Sequence, residues 1–271
     1  MSDVTNHIFE TIDRVNADKP AATRRQLVAG AAAAMGSMGL LGFASDARAQ
    51  NSAAKANSVE TLTTVAATAE VLATIVNTVG FQRLYPQLDE VTRMNIAAAA
   101  LQEREHYELL TSNAVGAKPA TKRIWVPNAV FASREAFLTT LVVGDQLFIN
   151  AYLLAVTVFA RQGTLNGSKF ARYSAEIMGV EAVHRALALQ SLGKLGNDRV
   201  FMKFAQREEV QGLPTTGQPG LYTAPAHVAT LESLGFGFGK EGAAPGQFYE
   251  YDTVAPTVPE LTPQVNTFSV S

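Results

Sequence analysis

From Ala136 to Ala160 the chain carries a single charged residue, Asp145. A helix apolar on every side must be buried in other protein or cross a membrane. A lone carboxylate at its centre is costly in either place without a partner. Charged groups on neighbouring helices would supply that partner, which favours burial over a membrane span. Ser133 is placed to cap the helix, Glu135 follows in its first turn, and the helix is expected to end near Arg161.

Three further segments have helical spacing. Ser58 precedes Val59, Leu62, Val65, Ala66, Ala69, Leu72, Ala73, Ile75 and Val76, with Gly80 and Pro86 as stop signals. Asp89 to about Ser112 contains Ile96, the run Ala97–Ala100, Leu101, Leu109 and Leu110. A fourth helix is expected from about Ser168 to Leu195, ending at Gly196. The link with Gly116, Pro119 and Pro127 is long enough to cross the length of a bundle. No segment shows a convincing alternating strand pattern. The expected fold is all-α, a four-helix bundle with a crossover between helices two and three. Its domain is expected to span 50–195, with a loop-rich C-terminal extension over 196–271. Short helices are expected there at Asp198–Gln206 and Pro225–Leu234, and Leu234-Gly-Phe-Gly-Phe238 is a candidate cover for apolar surface.

Composition narrows the chemistry. With 47% hydrophobic and 17% charged residues, a large core is expected. A net charge of −2 lacks the basic excess of a nucleic-acid footprint. The chain has no cysteine, so disulfides, thiol catalysis and iron–sulfur clusters are excluded. Any metal must use His, Asp and Glu.

Those residues recur in a pattern. Helix two contains Glu103-Arg-Glu-His106 and helix four contains Glu181-Ala-Val-His184. Residues three apart share a helix face, so each motif presents a carboxylate and an imidazole together. The other helices carry Glu70 and Asp145 on apolar surroundings. Counted from the intervening turns at 1.5 Å per residue, Glu70 comes level with Glu103, and Asp145 with Glu181, within roughly one helical turn. Four carboxylates and two imidazoles can therefore meet mid-bundle. Oxygen-rich ligands with one His per ion suit a pair of iron or manganese ions, with bridging carboxylates between them.

The N-terminus is read as an export signal spanning 1–49. Arg24-Arg25 precede an uncharged stretch from Gln26 to Ser45, and Ala47-Arg48-Ala49 ends in a small-x-small pattern. The paired arginines resemble a twin-arginine signal, which implies a periplasmic or secreted protein exported already folded.

The helix order and paired Glu-x-x-His motifs resemble the ferritin-like superfamily, in particular its desiccation-related proteins. Ala151-Tyr152 and Gly116-Ala-Lys-Pro119 resemble segments of that group. The resemblance covers roughly residues 58–195. It implies that Glu103 and Glu181 bridge two metals, Glu70 and Asp145 are terminal carboxylates, and His106 and His184 bind one metal each. Asp145 departs from the family's usual Glu and is one methylene shorter, which leaves a long, water-mediated or absent bond as alternatives. Tyr107 and Tyr152 could approach the centre. Glu105, Glu108, Arg104, Arg185 and His227 are expected to face solvent. Three functions follow: a diiron protein reacting with O2 or peroxide, a dimanganese catalase-like protein, or a non-enzymatic desiccation or stress protein with a structural or vestigial site. The reading includes a possible homo-oligomer.

Overall fold

A computed structural model describes residues 56–197, 202–203, 218–219 and 223–260. The segment read as an export signal, 1–49, lies outside the described residues. The described chain is predominantly helical. Helices α1 (Val59–Leu84), α2 (Glu90–Thr111), α3 (Arg134–Ala160) and α4 (Leu165–Ser191) account for most of it. Each begins at a side-chain cap. Ser58 Oγ accepts from Thr61 N–H at 3.1 Å, Asp89 Oδ1 from Thr92 N–H at 2.9 Å, Ser133 Oγ from Ala136 N–H at 3.1 Å, and Thr164 Oγ1 from Gly167 N–H at 2.9 Å. The fourth helix thus starts three residues before the expected Ser168. Gly163, at φ +63°, makes the turn, and Thr164 caps at once.

α1 runs four residues past Gly80, the expected stop. Gly80 serves packing instead: a Cβ there would lie 2.1 Å from Phe137 Cε2, so the α3 ring sits directly on the α1 backbone. The helix ends where Pro86 enters a 3-10 turn, Tyr85–Gln87.

α1 packs on α2 and α3, and α4 packs on α3 and α2. At one end, α2, α3 and α4 are pinned together. Asp89 Oδ2 lies 3.5 Å from Arg134 Nη2, Arg134 donates to the Ser191 carbonyl, and Thr92 Oγ1 bonds Ser191 Oγ at 3.0 Å. This fixes the relative heights of three of the four site-bearing helices. Val71, Ile75, Phe137, Leu138 and Leu189 form the apolar core between them. α1 with its 3-10 turn, and α3, are each long and apolar enough to cross a membrane, and 56% and 61% of their most apolar windows are buried inside the protein.

The expectation of no strands is corrected. The link between α2 and α3 contains β1 (Arg123–Pro127). The C-terminal segment contributes the two-residue pair β2 (Met202–Lys203) and β3 (Gln218–Pro219), which run parallel. Met202 and Lys203 fall within the stretch expected as a helix at Asp198–Gln206, whose other residues lie outside those described. Helix α5 (Ala224–Ser233) follows, within a residue of expectation at each end. β4 (Gly237–Phe238) and β5 (Gly246–Glu250) then flank β1 in an antiparallel sheet, with Ile124 opposite both Phe238 and Tyr249. Trp125 Nε1–H locks the sheet to the Ala244 carbonyl at 2.9 Å. A short helix, α6 (Tyr251–Val254), and a 3-10 turn, Ala255–Thr257, end the described fold against α1. Leu231, Phe236, Tyr251 and Val254 join the main core. The C-terminal segment therefore covers the apolar faces of α1 and α3, and the 234–238 phrase takes part, with Phe236 in the core and Leu234 and Phe238 packed against it.

Candidate metal centre

The two motifs and Glu70 meet in the interior. Glu70 on α1, Glu103 on α2 and Glu181 on α4 have no exposed surface. Each of Glu70, Glu103, His106 and Glu181 offers a ligand atom within 4.8 Å of the others. His106 Nδ1 stands among three carboxylates, 3.3 Å from Glu103 Oε2, 3.4 Å from Glu181 Oε1 and 3.5 Å from Glu70 Oε2. His184 lies on the far side of the same glutamates. Its Nδ1 is 3.1 Å from Glu103 Oε1 and 3.7 Å from Glu181 Oε2. Glu103 and Glu181 thus each turn one oxygen to each histidine.

Polar neighbours orient this set. His184 Nε2 is 2.7 Å from Gln102 Oε1, an acceptor that takes an Nε2–H and leaves Nδ1 as the nitrogen turned to the glutamates, its proton the one a cation would displace. Tyr152 on α3, buried, donates its hydroxyl to Glu70 Oε1. Tyr152 therefore approaches the centre as one of the two expected alternatives. Tyr107 instead packs on Tyr251, with ring centroids 4.4 Å apart. Gln102 was not anticipated, and no spacing in the sequence marks it.

Asp145 stands apart from the four-residue group but near it. It is 5% exposed, and its carboxyl is pushed well above the usual range by burial first, then by the charges of Glu181 and Glu103, against the opposing pull of His184 and Arg185. That places Arg185 in the interior, 2% exposed, which corrects the expectation that it faces solvent. Its neighbour Val183 takes the solvent side of α4 instead. Glu105 and Glu108 are exposed, and Arg104 pairs with Glu108 at 3.6 Å.

His227 is also corrected. It is 3% exposed, with Nδ1 3.0 Å from the Thr223 carbonyl and Nε2 2.7 Å from Asn150 Oδ1 on α3. Burial holds its imidazole down at about 4. It joins α5 to α3 and has no place in the cluster.

Without a cation, protons balance the buried negative charge. Burial, only partly countered by His106, raises the Glu70 carboxyl to about 7. Burial opposes charge on both histidines, yet the surrounding carboxylates drive both imidazoles upward, His184 well above its ordinary value. Burial and the Glu181 charge push Glu103 upward, but hydrogen bonds from both histidines leave it below its ordinary value. A divalent cation can replace those protons. The donor set fits one: Glu70 Oε2, Asp145 Oδ2 and both Glu181 oxygens are buried without a hydrogen-bond partner. Carboxylate oxygens with imidazole nitrogens suit iron or manganese. The buried cluster could hold a metal ion. No protein family, curated protein or solved structure matches this chain.

Proposed function

We propose that this chain is an exported ferritin-like four-helix bundle that binds two metal ions, iron first and manganese as the alternative, and reacts with O2 or peroxide. The observation that carries the reading is the division of the Glu103 and Glu181 oxygens between His106 and His184. Two carboxylates facing two imidazoles in this way suit bridging of two ions, each with one histidine. Glu70 would complete the His106 side and Asp145 the His184 side.

When bound, a ferrous pair would supply the two electrons that reduce O2 to peroxide or peroxide to water. The chain's own residues prepare the site. Tyr152 holds Glu70 by its hydroxyl, and Gln102 holds the His184 ring. Glu70 keeps a proton near neutral pH that leaves when a cation arrives. The apolar residues around the cluster exclude water and strengthen its electrostatics. This set is compatible with ferroxidase or peroxidase-like activity.

A second reading rests on Asp145. It lies outside the four side chains that come within 4.8 Å of one another, which favours a single or structural ion in a non-enzymatic stress-related bundle. Elemental analysis of the purified chain, followed by O2 or peroxide added to the ferrous form, separates the two. Two irons per chain and a fast near-ultraviolet absorption change support the first. Two manganese ions with oxygen evolution from peroxide support its manganese form. One ion and no redox change support the second. No bound metal, with Tm unchanged by Glu103→Ala or Glu181→Ala, sinks both.

A further inference from the structure

Between α1, α3 and α5 lies a cavity of about 40 Å³, walled mainly by apolar side chains such as Leu62, Leu147, Phe148, Leu154 and Val228. Three buried polar side chains also stand in its wall: Thr68, Tyr152 and His227. Each of their polar atoms is already engaged. Thr68 Oγ1 donates to the Thr64 carbonyl at 2.7 Å and accepts from Ala120 N–H at 2.8 Å. His227 Nδ1 lies 3.0 Å from the Thr223 carbonyl, and Nε2 lies 2.7 Å from Asn150 Oδ1. The Tyr152 hydroxyl is taken by Glu70 Oε1.

A guest in this cavity therefore finds apolar walls and polar side chains that are already paired. Water needs about two to four polar partners to occupy a cavity, and apolar cavities stay dry. Hydrogen peroxide carries an O–H group at each end, and a hydroxyl buried without a partner is costly. Dioxygen has no O–H or N–H to leave unpaired. Volume narrows the choice further. An apolar cavity of ~150 Å³ takes benzene, and roughly a quarter of that space suits a diatomic molecule. Tyr152 joins this cavity to the metal cluster, because its ring stands in the wall while its hydroxyl holds Glu70.

We propose that this cavity is a dry site for dioxygen, one side chain away from the cluster, and that it takes dioxygen in preference to peroxide. The affinity for dioxygen rests on the cavity alone. Its service to a ferrous pair rests on the two-metal reading, which it deepens by favouring one of the two oxidants.

The test uses the full chain, methyl-labelled and with diamagnetic Zn(II) added, so that the paramagnetism of dissolved O2 reports its position. Under oxygen pressure the methyl protons of Leu62 and Leu154 in the cavity wall should relax at least threefold faster than those of Ile75 and Leu189, which are buried elsewhere in the bundle. Val228→Phe on α5, or the milder Ala66→Val on α1, fills the cavity from opposite walls. Either variant, with its remaining methyl spectrum intact, should lose that excess. Hydrogen peroxide at the same concentration should leave the cavity methyl shifts where they are. The proposal is overturned if wild type shows no excess, if the excess survives in both variants, or if peroxide shifts the Leu62 and Leu154 methyls. Uptake of O2 by the cavity in a chain whose ferrous form does not react with O2 upholds the site and overturns the two-metal redox reading alone.

Discussion

Glu103 and Glu181, on different helices, face the same two histidines in the same way. Glu103 places Oε2 3.3 Å from His106 Nδ1 and Oε1 3.1 Å from His184 Nδ1; the corresponding distances from Glu181 are 3.4 Å and 3.7 Å. Each glutamate faces both halves of the cluster, so removing either one takes a donor oxygen from each half. On the proposed two-metal reading, Glu103→Ala or Glu181→Ala should therefore cut metal content from two ions per chain to one or fewer. A ligand at one hundred times its Kd stabilises by about 2.7 kcal/mol, so the rise in Tm with added Fe(II) or Mn(II) should shrink with the lost site. Full metal content in both variants, measured by elemental analysis, would remove these glutamates from the ligand set.

Metal affinity should rise with pH. Glu70, raised to about 7 by burial, and the two histidines, raised by their carboxylate neighbours, hold protons in the metal-free cluster. A cation must displace them, so lower pH opposes binding. Mn(II) titrated at pH 6 and pH 8 should bind at least tenfold more tightly at pH 8, with protons released to an unbuffered solution. Equal affinities and no proton release would contradict this account.

His227 predicts an acid limit to stability. Its folded value of about 4 lies below the ordinary 6.5 because burial disfavours the charged ring. Between those values the unfolded chain binds more protons, so the contribution is complete above pH 6.5 and is lost as pH falls toward 4. At 1.36 kcal/mol per unit the loss is on the order of 3 kcal/mol. Urea unfolding of His227→Gln at pH 7 and pH 4.5 should show a smaller drop than wild type. Parallel behaviour of the two proteins would place the acid sensitivity elsewhere.

Two helical glycines should respond oppositely to alanine. At Gly80 the new methyl would meet the Phe137 ring at 2.1 Å, so overpacking should cost about 1–3 kcal/mol. At Gly144 nothing lies within 4 Å, so helix propensity should stabilise the chain by up to ~1 kcal/mol. Denaturant midpoints of Gly80→Ala and Gly144→Ala check the pair, and shifts of the same sign would refute the packing argument.

Local patterns determined the four long helices, because the signals that make them are local. Apolar spacing, the caps at Ser58 and Ser133, and the three-residue interval of Glu-x-x-His all act within a turn or two of helix. From these alone Glu70, Glu103, His106, Asp145, Glu181 and His184 could be put at one depth, and the structure groups Glu70, Glu103, His106 and Glu181 most tightly. Tertiary structure decided what depends on partners distant in sequence. Ile124 pairs with Phe238, over a hundred residues away, so five residues hidden in a link became the centre of a sheet. His227 and Arg185 looked like surface residues because their own neighbours are unremarkable; Asn150 on α3 and the charged group around Asp145 drew them inside. The separation of Asp145 from the four-residue group is likewise set by the packing of α3 against α1, α4 and α5, which no spacing along one helix can specify.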